Sequence, residues 1–158
     1  MYDIACIPEE NIGSILPLLE LLNPQINKEI INSRLEAMKK TDYTCVGVYD
    51  NEKLIAISGI WVLHKIYAGK HIEPDNVIVH PDYRNKGVGM LLLDWIHAYG
   101  KSIGCLTAEI NSRVTNAGGN TFWEKMGYEI VGYHFIKSLQ NEDEKLVNGC
   151  LQAIEQKK

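Results

Sequence analysis

No Cys-x-x-Cys pair occurs in this chain; Cys6, Cys45, Cys105 and Cys150 are scattered along its 158 residues. That scatter excludes a disulfide framework or a zinc ribbon and reads as reduced thiols. His64, His71 and His80 lack metal-ligand spacing, so no metal is expected. There is no basic block either, and the net charge is −4. This argues against nucleic acid as a partner and suits a cationic small substrate. No apolar run reaches membrane-spanning length. Met1 to Glu10 has no basic n-region or apolar h-region, so no signal peptide is expected and the cytoplasm is the expected location. No internal repeat or inter-domain linker interrupts the chain. Its length suits one domain with a sizeable core, residues 1–139, followed by a polar tail or short amphipathic helix over 140–158.

The apolar pattern lays out the elements. Tyr2 to Cys6 reads as a first strand. A helix opening at Pro8-Glu9-Glu10 carries Ile12, Ile15, Leu16, Leu19 and Leu22 on one face, and Pro17 should kink or split it. Asn27 can cap a second helix that turns Ile30, Ile31, Leu35 and Met38 inward. A meander follows: Tyr43 to Tyr49, a hairpin turn at Asp50-Asn51-Glu52-Lys53, Leu54 to His64, a turn at Tyr67–Lys70, and His71 to His80. Cys105 to Ile110 follows a helix, so it should run parallel to the Val77 strand. A helix from about Thr115 to Lys125 should stop at Gly127, and Glu129 to Leu139 reads as the last strand.

The chemistry is concentrated between Val77 and Leu93. Val77-Ile78-Val79 is a β-branched run ended by Pro81; Arg84 to Gly89 is a turn with two glycines; from Val88, Leu92, Trp95, Ile96 and Tyr99 recur at helical spacing. A helix start exposes unpaired N–H groups and a partial positive charge, which attract an anion. Gly87 and Gly89 allow close backbone approach, and Arg84 and Lys86 add formal charge. The stretch therefore reads as a phosphate or pyrophosphate cradle. It is not a P-loop, because Met90 and Leu91 follow Gly89 where Lys-Ser/Thr is needed. It is not a dinucleotide fingerprint, because leucine stands at the third glycine position.

Strand, Val79-x-Pro81, Arg84-x-x-Gly87-x-Gly89 and helix together resemble the acyl-CoA pyrophosphate loop of the GNAT acetyltransferase superfamily. A second stretch is similar to the family's Asn-x-x-Ala-x-x-Leu-Tyr-x-x-x-Gly-Phe motif. Here Asn116, Phe122, Gly127 and Tyr128 match or are conservative, Gly119 replaces alanine, and Trp123 replaces the tyrosine that often protonates the departing thiolate. The resemblance covers roughly Leu54 to Leu139. It implies an α/β domain of GNAT type: a mixed, mostly antiparallel central sheet with a splayed parallel strand pair, flanked by helices. It further implies an acetyl-CoA-dependent N-acetyltransferase acting by direct amine attack through a tetrahedral intermediate. Acetyl-CoA would lie against Val77, Ile78 and Val79, the loop Arg84, Asn85, Lys86, Gly87, Val88, Gly89 and Met90, and the group Asn111, Asn116, Gly119, Phe122 and Trp123. A backbone N–H near Val79 would polarise the thioester carbonyl.

Amine attack needs a neutral amine, hence a base. By period two, His71, Glu73, Asp75, Val77 and Val79 share one strand face. Glu73 and Asp75 are the candidate catalytic residues, since the family often places acid/base groups there, and two neighbouring carboxylates can raise one pKa. Glu109 is a third candidate, able to polarise a water. Trp61 and Tyr67 are candidate walls of an acceptor pocket or plain aromatic core. Indole cannot give up its proton, so either no acid is needed or Tyr128, Tyr133 or water replaces the usual tyrosine. The resemblance favours a small-molecule amine as acceptor. Rival readings are a protein or peptide acetyltransferase and a non-catalytic acyl-CoA-binding module. Many members pair through sheet edges or terminal strands, and Glu129–Leu139 is apolar enough for a homodimer contact.

Overall fold

The computed structural model describes residues 1–137 and 139. The expected tail over 140–158 lies outside the described residues. β1 (Asp3–Ile7) leads into a 3-10 turn (Glu9–Ile15) and α1 (Leu16–Leu22), then α2 (Lys28–Met38), β2 (Thr44–Asp50), β3 (Lys53–Lys65) and β4 (Gly69–Val79). A short 3-10 turn (Pro81–Tyr83) precedes α3 (Val88–Ser102), β5 (Thr107–Ala108) and α4 (Ala117–Lys125). The strands form one sheet in the order β1-β2-β3-β4-β5; every pair is antiparallel except β4–β5. This is the mixed α/β architecture expected from the sequence.

Local chemistry explains most boundaries. Pro17 splits the first apolar stretch: the 3-10 turn ends at Ile15, and the proline falls in the first turn of α1, where its missing N–H costs nothing. Asn27 caps α2 by accepting from the Glu29 N–H at 2.8 Å. Gly127 ends α4 with φ +84° and donates to the Glu124 carbonyl.

Two apolar layers sandwich the sheet. On one face Ile12, Ile15, Leu18 and Leu19 join Ile31 and Leu35 of α2 over Cys45, Ile57 and Ile78. Burial pushes the Cys45 thiol up to about 12, so it behaves as a small apolar side chain. On the other face Val88, Leu92, Leu93 and Ile96 of α3 cover Val46, Val48, Ile55, Ile60 and Ile72. Gly100 lets α3 sit close, since a Cβ there would stand 3.0 Å from Ile72 Cγ2.

Two strand expectations are corrected. Cys105–Ile110 forms only the two-residue β5, extended at each end by single bonds: Leu106 N–H to the Lys70 carbonyl and Glu109 N–H to the Ile72 carbonyl. Glu129–Leu139 has strand-like alternation, but its described residues join no ladder and are exposed, with Val131, Tyr133 and Phe135 at least 90% accessible. A strand persists only where its N–H and C=O groups find partners.

Candidate active site

β4 pairs with β5 only at His71↔Thr107 and Ile72↔Ala108. From Glu73 to Val79 the β4 edge on that side has no ladder partner among the described residues. The parallel pair therefore forks, and the fork opens at the C-terminal ends of its strands, where open α/β sheets take ligands.

A bulge shapes the fork. Ile57 faces Ile78 and Gly59 faces Asp75, so Asn76 and Val77 together oppose the single residue Ser58. Asn76 takes the extra turn with φ +50°. Asp75 secures it, accepting from the Asn76 N–H at 2.8 Å, Asn76 Nδ2 at 2.9 Å and Trp61 Nε1 at 3.2 Å. The bulge overturns the single face expected for the strand. His71 and Glu73 point to the α1–α2 side, paired across from Leu63 and Trp61. Beyond the bulge Ile78 faces that side, while Val77 and Val79 pack toward α3.

At the mouth of the fork lies an ionic cluster. Lys65 Nζ, from the end of β3, donates to Glu73 Oε1 at 3.0 Å and to Glu109 Oε2 at 2.6 Å. His71 Nε2 stands 3.1 Å from the same Glu73 oxygen, and His71 Nδ1 is 3.3 Å from the Gly69 carbonyl. His71 is fully buried. Burial works to raise the Glu73 carboxyl, but the hydrogen bonds from Lys65 and His71 outweigh it and hold it below the ordinary carboxylate value. The raised value expected from a Glu73–Asp75 pair is thus corrected, because Glu73's nearest partners are donors. Glu109 and then Glu73 push the Lys65 ammonium above its usual range. His71, Glu73 and Glu109 also offer donor atoms within 4.8 Å of one another, a cluster invisible to sequence spacing. Lys65 was not singled out in the sequence. Its position on the Trp61–Leu63–Lys65 face, opposite Glu73 and His71, is the signal that would have found it once the hairpin register was known.

The other end of the fork is the glycine loop. Asn85 (φ +60°) and Gly87 (φ +79°) turn the chain into α3. Among the described residues no side chain caps α3, and its first backbone bond runs from Leu91 N–H to the Gly87 carbonyl at 3.0 Å. The N–H groups of Val88, Gly89 and Met90 are thus presented by an uncapped helix start, a fit for an anion. Arg84 Nε donates to the Val79 carbonyl at 3.2 Å, tying the loop to the strand end. Lys86 Nζ lies 5.4 Å from the Tyr83 ring centre. Gly89 has a packing reason as well: a Cβ there would stand 3.2 Å from Phe122 Cζ and 3.6 Å from Val79 Cγ2.

The second motif is organised around α4. Asn116 caps that helix, accepting from the Gly119 N–H at 3.2 Å. With Asn116 in its capping rotamer, a Cβ at 119 would overlap the Asn116 amide. Asn111 is exposed; Phe122 and Trp123 are half-buried, with ring centres 5.2 Å apart. Trp123 meets Tyr128 edge-on at 5.6 Å. Burial pushes Tyr128 up to about 12, and its hydroxyl lies 2.9 Å from His97 Nε2.

The family model described as "Acetyltransferase (GNAT) family" matches residues 15–128. The chain belongs to this family and is an acetyl-CoA-dependent N-acetyltransferase. It is 27% identical over 131 residues to the uncharacterized N-acetyltransferase YhdJ of Bacillus subtilis (strain 168), covering 82% of this chain and 92% of that one. The solved structure of AAC(6')-Iy in complex with the bisubstrate analogue CoA-S-monomethyl-acetylneamine superposes with a TM-score of 0.76 at 14% identity, over 89% of this chain and 99% of the other. A ribosomal-protein-alanine N-acetyltransferase from Brucella melitensis biovar Abortus 2308 gives a TM-score of 0.74 at 16% identity, over 88% of this chain and 100% of the other. Both are likenesses of fold.

Proposed function

We propose that the chain acetylates a small-molecule primary amine in a ternary complex, with the fork between β4 and β5 as its reaction site. The observation that carries this reading is the fork itself: an ionisable cluster at its start and an uncapped helix behind a glycine turn at its end. The backbone of Val77, Ile78 and Val79 would bind the pantetheine arm along the unpaired β4 edge. The N–H groups of Val88 to Met90, with Arg84, Asn85, Lys86 and Gly87, would hold the pyrophosphate. Asn111 would contact the arm from the far side of the fork. Asn116 and Gly119 start α4, whose Phe122 and Trp123 shape the wall beside the loop. Acetyl-CoA supplies an activated acyl group.

Glu73 takes the proton from the acceptor nitrogen, directly or through one water. The hydrogen bonds from Lys65 and His71 keep the carboxylate ionised at neutral pH and make it a weaker base, so its position at the fork, not its basicity, carries the role. Asp75 serves indirectly, by holding the bulge that aims the strand. A Val79-side N–H polarises the acyl oxygen. Tyr128 is too weak an acid to assist departure, and Trp123 has no proton to give, so the thiolate leaves unassisted by either. A homodimer is part of this reading: the exposed Ile130, Val131, Tyr133 and Phe135 and the outer edge of β5, which has no ladder partner among the described residues, would meet in it.

The test is thiol release from acetyl-CoA against a panel of amines and a panel of peptides, with CoA affinity measured by calorimetry. Release with amines is expected. Arg84→Ala should weaken CoA binding by about tenfold or more, and Gly87→Glu should abolish it with a native circular dichroism spectrum. Unchanged affinity in both variants overturns the cradle, and release with peptides alone overturns the small-molecule acceptor.

A further inference from the structure

The cluster at the mouth of the fork already holds an ammonium group, and it belongs to the chain. Lys65 Nζ sits against carboxylates from both arms of the fork, Glu73 at 3.0 Å and Glu109 at 2.6 Å. The Tyr67 ring, 5.9 Å away, adds an aromatic face. Two carboxylates and an aromatic ring form a receptor for an alkylammonium ion. We propose that Lys65 is an internal stand-in for the acceptor: its aminobutyl chain occupies the site that an unbranched aminoalkyl substrate takes over during turnover. This deepens the reading above and rests on it.

Three features support replacement over a permanent ion pair. First, Lys65 is the last residue of β3, followed by a turn in which Ile66 and Tyr67 are exposed, and its own side chain is 31% accessible. It can swing to solvent without uncovering the core, a motion of rotamers alone. Second, the receptor does not depend on Lys65 for its shape. His71, fully buried between the Gly69 carbonyl and Glu73, keeps a hold on the Glu73 carboxylate when Lys65 leaves. The Glu109 N–H bond to the Ile72 carbonyl, 2.9 Å, keeps the Glu109 backbone at the fork. Third, an outward swing leaves two carboxylates facing each other with no positive charge between them, which draws in another cation. A neutral acceptor does not satisfy that charge.

An internal occupant lowers the apparent affinity for an external one by the fraction of time the site stands open. Removing the ammonium while keeping the stem should therefore tighten acceptor binding. The experiment uses the full chain, Lys65→Met and Lys65→Arg, titrated by NMR with n-butylammonium and with n-butanol as the uncharged control. Lys65→Met should bind n-butylammonium about tenfold or more tightly than the parent. Lys65→Arg should behave like the parent, and n-butanol should bind neither. Equal or weaker n-butylammonium binding by a natively folded Lys65→Met overturns the proposal, as does equal binding of the alcohol. Lys65→Gln replaces Lys65→Met if the latter does not fold. The titration needs no acetyl-CoA. An absence of thiol release with every amine would therefore refute the acetyltransferase reading while the titration still judged the receptor.

Discussion

Replacing Glu73 by glutamine keeps the side chain's size and removes its charge and basicity. In the parent, Glu73 Oε1 accepts from Lys65 at 3.0 Å and faces His71 Nε2 at 3.1 Å. The amide oxygen can keep one of these contacts, so the fork should hold its shape. If Glu73 takes the acceptor's proton, kcat should fall by roughly 10²–10⁴-fold, the usual worth of a positioned base, or about 3–5 kcal/mol of barrier. The pH dependence sharpens the test. Lys65 and His71 hold the Glu73 carboxyl below the ordinary value of 4.5 despite its burial. The base is thus ionised throughout the neutral range, and the acid limb of the parent's profile reports the amine. The deficit of Glu73→Gln should shrink as pH rises and the amine arrives deprotonated. Stability has its own sign. A carboxyl with a lowered folded-state pKa stabilises the fold above its unfolded value near 4.5 and loses that contribution as pH falls through the folded value. The difference in Tm between parent and variant should accordingly be present at pH 7 and fade below about pH 4.5. Steady-state kinetics from pH 6 to 9, with thermal melts from pH 3 to 7, cover both. A variant with parental kcat across the range refutes the base assignment and moves it to Asp75 or Glu109. A raised KM with kcat intact makes Glu73 a binding group only.

Two further outcomes follow from the packing. Gly119→Ala gains up to about 1 kcal/mol of helix propensity but displaces the Asn116 cap, worth about 0.5–2 kcal/mol. It should be near neutral alone and clearly stabilising in an Asn116→Ala background; urea unfolding that shows the same change in both backgrounds refutes the clash. Light scattering should give a dimer mass, shifted to monomer by Val131→Lys with Tyr133→Lys, and a stable parental monomer at high concentration rules the assembly out.

What could be read from the chain was what is local. The glycine turn, the start of α3, the Asn27 cap and the Pro17 split each depend on a few adjacent residues, and all stand where the sequence placed them. Period two also placed His71 and Glu73 correctly on one face. It failed at Asn76, because one residue in a left-handed conformation inverts every side chain beyond it. The Asp75-Asn76 pair, with a side chain able to bond the next N–H, was the available hint. Lys65 stayed hidden because its partner Glu109 is 44 residues away; only the β4–β5 register brings them together. The segment 129–139 has the right alternation, but alternation does not provide a partner strand.

The bulge at Asn76 has a consequence for how such a protein can change. Before it, β4 turns Glu73 toward α1 and α2; after it, Val77 and Val79 face α3. One strand thus serves two clients on opposite sides of the sheet, with the inversion between them. Substitutions in α1, α2 or the β3–β4 turn can reshape the surroundings of Lys65, Glu73 and Tyr67 without disturbing the α3 layer behind the glycine loop. Deleting Asn76 would pair Val77 with Ser58 and leave Val77 and Val79 on the α3 side, whereas straightening the strand with Asn76 in place would send them across the sheet. For directed evolution the protein therefore offers a separable half: libraries confined to the α1–α2 side should yield altered acceptor preference at nearly constant CoA affinity.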